Sequence, residues 1–568
     1  MRKFAKVLAA TFSFVFLCSV FASCGGGTDS SSGSSSSEST SQTTPETVYY
    51  TVTYDADGGS LDGETSVRVE KGKSITLPSA EKQDYKLSGW YNGETLAGTE
   101  GETYTPSGDV TLKARWESTL PDYAAVNEAR AIEYGKLIKE LYWNSDTKLS
   151  KLTPDGGAPY CWPFTEQLSM VNGILLTMDE THEDYEFFCD YLVELIEGIR
   201  HYRVKTVNMS GSEAWENSEH FMAEFGENDG SANSYAIYNS GRNDGAVDSV
   251  SAGLDGIFFD DNVWVAKEFY YAYINLGDVK YLNESINILN WIVGEGYEET
   301  KGLNGIYWKW AAKFKFEDKA GGGGLDDNNH ASLNACSSAP TAMMLVKLYN
   351  AMGDESLNGK FEILRADYLA KAQNIYEFCY SVLRNPESGC LRDKIFLSEG
   401  FENMTDQNQQ IQLVDQQELA YNTGTFMTAG AELYNQAVAA GKDAVAKVYL
   451  SRNEKVAEDA DKKFANTQVV QGEYSYGNHS WFTSFLLEGF IDLSDSVPAC
   501  AEYIEHMRSS LDYAWNNNRA EDKLVSPAWI EGWDSFSDNG VNSEGNPRQI
   551  LLQSANAHCY AMLARYYA

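Results

Sequence analysis

The chain has 568 residues, 22% of them charged, and a formal net charge of −38 at neutral pH. So large an acidic excess repels nucleic-acid phosphates and anionic lipid headgroups, which excludes a nucleic-acid partner and leaves a neutral polymer as the better candidate. The length exceeds the roughly 250–300 residues at which single cores stop growing, so more than one domain is expected, and 35 Tyr with 13 Trp supply flat rings for a core and for stacking on sugar faces.

In chain order, residues 1–23 read as a secretory signal: Arg2, Lys3 and Lys6, an apolar run from Val7 to Val20, then Phe21-Ala22-Ser23 before Cys24. The apolar run is too short to span a membrane comfortably. Small residues followed by Cys24 resemble the lipobox of bacterial lipoproteins, with Phe21 in place of the usual Leu. The resemblance implies an acylated Cys24 as mature N-terminus, hence a protein on a bacterial cell surface that meets the membrane only through that lipid. Residues 24–47 are almost all Gly, Ser and Thr and can bury nothing. As a random coil they span about 25–30 Å, the length of a flexible tether.

Residues 48–117 change pattern. Tyr50-Thr-Val-Thr-Tyr54 alternates, Asp57-Gly58-Gly59 turns, and Val67 to Val69, Ser74 to Leu77, Ser88 to Tyr91 and Val110 to Trp116 follow as short segments. Period-two alternation broken by Asp-Gly signals predicts a compact sheet with Trp90 and Trp116 in its core. These segments resemble the Listeria–Bacteroides repeat of internalin B type, which implies a β-grasp-like module.

Residues 118–568 carry apolar positions at three- and four-residue spacing, which predicts about twelve helices. Their expected starts lie near Tyr123, Thr165, Glu183, Asp260, Val279, Ser337, Lys360, Gln416, Lys442, Ser480, Val497 and Gln549. Tyr273-x-x-x-Gly277-Asp278 and Tyr349-x-x-x-Gly353-Asp354 repeat one junction, in which Gly supplies a left-handed end and Asp caps the next helix. Twelve helices as six stacked hairpins predict a mainly α molecule, an (α/α)6 toroid. The irregular stretches from Val204 to Phe259 and from Gly294 to Asn334 then become functional loops above its cleft. Seven cysteines after Cys24 (Cys161, Cys189, Cys336, Cys379, Cys390, Cys500 and Cys559) are odd in number and lack metal-ligand spacing, so buried thiols are expected, with neither a disulfide framework nor a metal. Asp326-Asp327-Asn328-Asn329-His330 lacks the calcium-loop pattern and reads as a cleft-edge loop. No cofactor motif is present, and the chain is expected to act as a monomer.

The sharpest feature is Ile257-Phe258-Phe259-Asp260-Asp261-Asn262-Val263-Trp264. Acidic residues at a helix start can simply cap it and complement the dipole. Alternatively, neighbouring helical carboxyls diverging by about 100° can sit about 5 Å apart on one cavity, the separation a retaining glycosidase needs. Like-charge repulsion then keeps one ionised and lets the other hold a proton. Phe-Phe-Asp-Asp-Asn-x-Trp, followed in order by Gly305-Ile306-Tyr307-Trp308, Asn334-Ala335-Cys336-Ser337 and Tyr421-Asn422-x-Gly424, is similar to glycoside hydrolase family 76, the endo-α-1,6-mannanases. The resemblance implies Asp260 as nucleophile, Asp261 as acid/base and α-mannan as the polysaccharide substrate. Trp162, Asn262, Tyr307, Trp308, Tyr421 and Asn422 are the substrate-binding candidates. Leu333 stands where the family often carries Lys, and Thr423 where it carries Gln, so both are expected to alter substrate contacts. Two rivals share these features: a non-catalytic glycan-capturing lipoprotein, and a mannosyl transglycosylase on the same fold.

Overall fold

The computed structural model describes residues 47–203, 237–241, 256–300, 302–313, 330–357, 359, 361–470, 472–536 and 546–568. The signal, the tether with Cys24 and the Asp326 to Asn329 stretch lie outside the described residues. The chain divides into two compact units, Met1–Asp122 and Tyr123–Ala568.

In the first unit five strands form one sheet: β1 (Tyr49–Asp55), β2 (Ser66–Glu70), β3 (Tyr85–Asn92), β4 (Thr95–Gly98) and β5 (Val110–Ser118), in the order β2-β1-β5-β3-β4. β1 and β5 run parallel and the other pairs antiparallel. Alternation puts Val52, Tyr54, Leu112 and Ala114 on one buried face around Trp90. The Trp90 indole donates to Pro78 O at 2.9 Å, while half-buried Trp116 donates to Ala56 O at 3.0 Å, so both rings pack with their polar edges satisfied.

The second unit holds, among the described residues, twelve long helices that alternate between two rings. The outer ones are α1 (Tyr123–Tyr142), α3 (Tyr185–Ile199), α5 (Val279–Trp291), α7 (Glu362–Phe378), α9 (Asp443–Phe464) and α11 (Cys500–Asn517). The inner ones are α2 (Cys161–Leu175), α4 (Phe259–Leu276), α6 (Ala335–Ala351), α8 (Ala420–Ala439), α10 (Ser480–Leu493) and α12 (Ile550–Tyr567). Each inner helix packs on the next, and α12 packs back on α2, which closes the ring as an (α/α)6 toroid. Burial mostly follows position, the outer α5 being an exception, buried from Tyr281 to Trp291. α12 is buried without a break from Ile550 to Ala564, whereas α9 buries a single stripe through Ala446, Tyr449, Asn453, Val456 and Ala460. The helix starts fall within four residues of the sequence expectation.

One junction departs from that expectation. Gly277 is left-handed at φ 72° and the Asp278 carboxylate accepts Lys280 N–H at 3.0 Å, as the motif predicts. Gly353 is not left-handed. A Cβ there would lie 2.5 Å from the Arg365 guanidinium, which crosses over it while Arg365 Nε donates to Tyr349 O at 2.8 Å. Glycine at that position makes room rather than a turn. All seven cysteines from Cys161 onward are free thiols.

Three short strands, β6 (Ser332–Asn334), β7 (Lys394–Leu397) and β8 (Ile411–Val414), form an antiparallel sheet extended by bridges from Tyr307 to Leu333 and from Phe258 to Lys309. This ladder runs into the starts of α4 and α6.

Candidate active site

The N-terminal ends of the inner helices border a cavity of about 380 Å³. On α4 the N-cap is Phe258, in extended conformation and without a side-chain cap, so Asp260 and Asp261 fall inside the first turn. Neither aspartate caps the helix. The Asp260 carboxylate accepts the Asp261 backbone N–H at 2.9 Å on Oδ1 and the Trp308 indole N–H at 3.0 Å on Oδ2. Trp308 is held in turn, its carbonyl accepting Phe259 N–H at 2.9 Å and its ring meeting Phe258 at 4.9 Å.

The two acids differ electrostatically. Burial pushes the Asp260 pKa up to about 6, against the lowering pull of the Asp261 N–H, Cys336 and Trp308. Asp261, 8% exposed, is pushed well above the usual carboxylate range by burial first and by the Asp260 charge second, with Ser240 opposing weakly. Hydrogen bonds to the charged form favour ionisation at Asp260, and a like charge disfavours it at Asp261. Near neutral pH the pair therefore presents one carboxylate and one carboxylic acid.

Around the pair, Trp162 from α2, Tyr421 from α8 and Trp481 from α10 make an aromatic wall, with ring centroids 4.9 Å apart for Trp162–Trp481 and 5.0 Å for Tyr421–Trp481. Opposite in chemistry are Asp393 and Lys394 at the start of β7, whose charges pair at 3.1 Å. The Asp393 carbonyl accepts Ala335 N–H at 2.7 Å, which ties it to the start of α6. Tyr160, 60% exposed, stands at the mouth.

Of the substrate-binding candidates, Trp162, Trp308 and Tyr421 line the cavity. Three others do not. Asn262 is fully buried, its amide spent on the backbone of Tyr238 (2.7 and 2.9 Å) and on Phe258 O at 2.7 Å. Tyr307 is 2% exposed and turns its hydroxyl to Glu298 at 2.6 Å. Asn422 reaches the site only through Asp393, to which it donates at 3.1 Å. Leu333 and Thr423 also stay out of the cavity: both are fully buried, and Thr423 Oγ1 accepts Leu391 N–H at 3.1 Å. Their departures from the family pattern therefore act on the support of the site rather than on direct contacts. Sequence reasoning missed Asp393, Lys394, Trp481 and Tyr160, of which Trp481, leading helix α10, was the one with a visible signal.

A closed (α/α)6 ring with an unequal acid pair at its aromatic-lined end defines the class, a glycoside hydrolase. Comparison with known proteins narrows it. Residues 258–547 match the model of glycosyl hydrolase family 76, and residues 50–115 match the Listeria-Bacteroides repeat domain. The chain belongs to family 76. The fold resembles a family 76 glycoside hydrolase from a bovine Bacteroides thetaiotaomicron strain at 17% identity and TM-score 0.57, over 82% of this chain and 83% of that one. It resembles a family 76 mannosidase of Bacteroides thetaiotaomicron at 20% identity and TM-score 0.55, over 77% and 98%. A third likeness is to an inactive variant of a Salegentibacter α-1,6-mannanase bearing two consecutive Asp-to-Asn changes, in complex with α-1,6-mannotriose. There identity is 16% and the TM-score 0.50, over 78% and 99%. The comparison with curated protein sequences finds no match.

Proposed function

We propose that this glycoside hydrolase is a retaining, endo-acting α-1,6-mannanase. The observation that carries the reading is the asymmetry of the acid pair: Asp260 faces two N–H donors, and Asp261 beside it is buried and raised. In this reading an Asp260 oxygen attacks the anomeric carbon as the glycosidic C–O bond breaks, and Asp261 passes its proton to the leaving oxygen. A mannosyl ester on Asp260 results. Asp261, now ionised, takes a proton from water as that water attacks the anomeric carbon, and Asp260 leaves as carboxylate. Trp162, Trp308, Tyr421 and Trp481 suit the apolar faces of neutral sugars, consistent with the acidic net charge. The mannotriose bound to the doubly substituted Salegentibacter enzyme supports both the linkage and the pair.

The test is incubation of the purified chain with debranched yeast mannan. Release of α-1,6-manno-oligosaccharides, with the α-anomer appearing first by NMR, is the expected result. Binding without new reducing ends would instead favour glycan capture, and mannosyl transfer to added sugar would favour a transglycosylase. We further propose that Cys24 carries a lipid and tethers the enzyme to the cell surface through the Gly/Ser/Thr stretch. Cys24→Ala should then move the protein from the detergent phase to the aqueous phase.

A further inference from the structure

The toroid has a second lumen. At the C-terminal ends of the inner helices lies another cavity of about 380 Å³, to which all six inner helices contribute. It backs onto the cleft through a thin floor. Trp481, which lines the cleft, donates to Glu166 at 3.0 Å, and Glu166 meets His558 Nδ1, which lines the second cavity, at 3.1 Å.

The polar groups facing this space sort into two sets. Glu268 is fully engaged by Ser169 at 2.6 Å and Asn172 at 2.8 Å, and Glu432 by Lys347 at 2.7 Å. Lys267 is not: it is 1% exposed, yet its ammonium stands 3.6 Å from Glu268 and 3.8 Å from Glu488, beyond hydrogen-bond length from both. Its ammonium also lies over the Phe485 ring at 5.0 Å, and among the described residues Asp492 Oδ2 has no hydrogen-bond donor. An ammonium at the depth of Lys267 is ordinarily hydrogen-bonded, which calls for an acceptor within the cavity.

Chemistry limits the occupant. A lysine ammonium only donates and an ionised carboxylate only accepts, whereas a hydroxyl does both. Charge leaves little room for an ion: Lys267, Lys347 and Arg565 match Glu268, Glu432 and Glu488, and Asp492, raised to about 6 by burial, adds a single negative charge near neutral pH. A cation would meet Lys267, and an anion would meet Glu488. Among the described residues no group of three or more acidic, Cys or His side chains could hold a metal ion. The rings of Tyr270 and Tyr271 give the space an apolar side, and its volume falls in the roughly 300–1,000 Å³ range of small-molecule sites.

We propose that this lower cavity is a second ligand site, which takes a neutral polyhydroxylated molecule of monosaccharide size between Lys267, Glu488 and Asp492. The site stands apart from the chemistry assigned to the cleft, and an inactive cleft would leave it intact. Two measurements on the full chain test it. Wild-type crystals soaked in D-mannose, and separately in myo-inositol, should show a ring in the lower cavity with hydroxyls on Lys267 Nζ and Glu488. Ordered water alone in both soaks overturns the proposal. In solution, titration followed by saturation-transfer NMR should give a Kd of about 1 mM. It should weaken at least tenfold in Glu488→Gln and in Leu176→Trp, the latter adding bulk at the cavity wall without removing a charge. Density in the crystal without saturable binding in solution is binding at crystal concentration only and counts against the site. Equal affinity in wild type and a folded variant places the solution signal in the cleft and also overturns it.

Discussion

Asp260 has both oxygens occupied by N–H donors, and one of those donors is a side chain that can be removed without emptying the cleft. In Trp308→Phe the carboxylate loses a hydrogen bond of the kind worth about 1.5–3 kcal/mol to a charged group. Loss of a donor to the charged form raises the acid's pKa. The acidic limb of the kcat/KM profile, set near 6 by Asp260, should therefore move up by about one pH unit, as a pH–rate series will show. Asp260→Asn and Asp261→Asn should each cut kcat/KM by at least about 10³-fold, within the range for removing a positioned acid or base. Added azide separates their roles: with Asp261→Ala it should give a mannosyl azide of retained configuration, with Asp260→Ala one of inverted configuration.

The same pKa shifts have a stability sign. A carboxyl whose folded pKa is raised binds protons more tightly folded than unfolded, so above its unfolded pKa it opposes folding. Asp261→Asn should accordingly be more resistant to urea than wild type at pH 7, with the gain shrinking as pH falls toward about 4. Legibility at this scale was uneven for a geometric reason. A motif shows which segment reaches the site but not which side of the backbone faces it. Asp260, Trp308 and Tyr421 face the cavity, while Asn262, Tyr307 and Asn422, each adjacent to or near one of them in sequence, turn inward to hold Tyr238, Glu298 and Asp393. Lys394 opens a short strand with no periodic signal of its own and Asp393 immediately precedes it, and only long-range pairing of that strand with β6 brings them to the start of α6.

Among elements, helices were the readable part. Three- and four-residue periodicity located all twelve, whether a helix buries one stripe, as α9 does, or nearly every side, as α12 and the outer α5 do. Which helices touch was not readable, since that depends on residues with no side chain to show a pattern. Gly424 of α8 and Gly489 of α10 mark the closest approach. A Cβ on Gly424 would lie 2.3 Å from Phe485 O, and one on Gly489 would lie 2.7 Å from Gly424 O. Both obstacles are backbone, which cannot rotate aside. Gly424→Ala should therefore force the two inner helices apart and cost about 3 kcal/mol, the upper end for overpacking, read as a lower urea midpoint. At Gly277, the left-handed end of α4, a Cβ would meet nothing within 4 Å. Gly277→Ala should cost only about 1 kcal/mol from backbone strain.

On the scale of the whole molecule, the chain divides after Asp122 into two units with separate cores. Val52, Leu77, Trp90 and Leu112 make one, and the other runs through all twelve helices. Every residue lining the cleft, from Leu152 to Gln549, and every residue lining the lower cavity, from Ser169 to Tyr566, comes from the second unit. A chain beginning at Tyr123 should consequently melt at the same temperature as the helical unit of the full protein and keep its kcat/KM on soluble manno-oligosaccharides within about twofold, since sites that share no partners act independently. A large loss of activity in a truncated chain that still melts normally would mean that the β module contributes to the cleft directly. An unchanged kcat/KM on oligosaccharides with a lower rate on whole cell-wall mannan would assign the module to reaching the polymer, and leave the bond cleavage to Asp260 and Asp261.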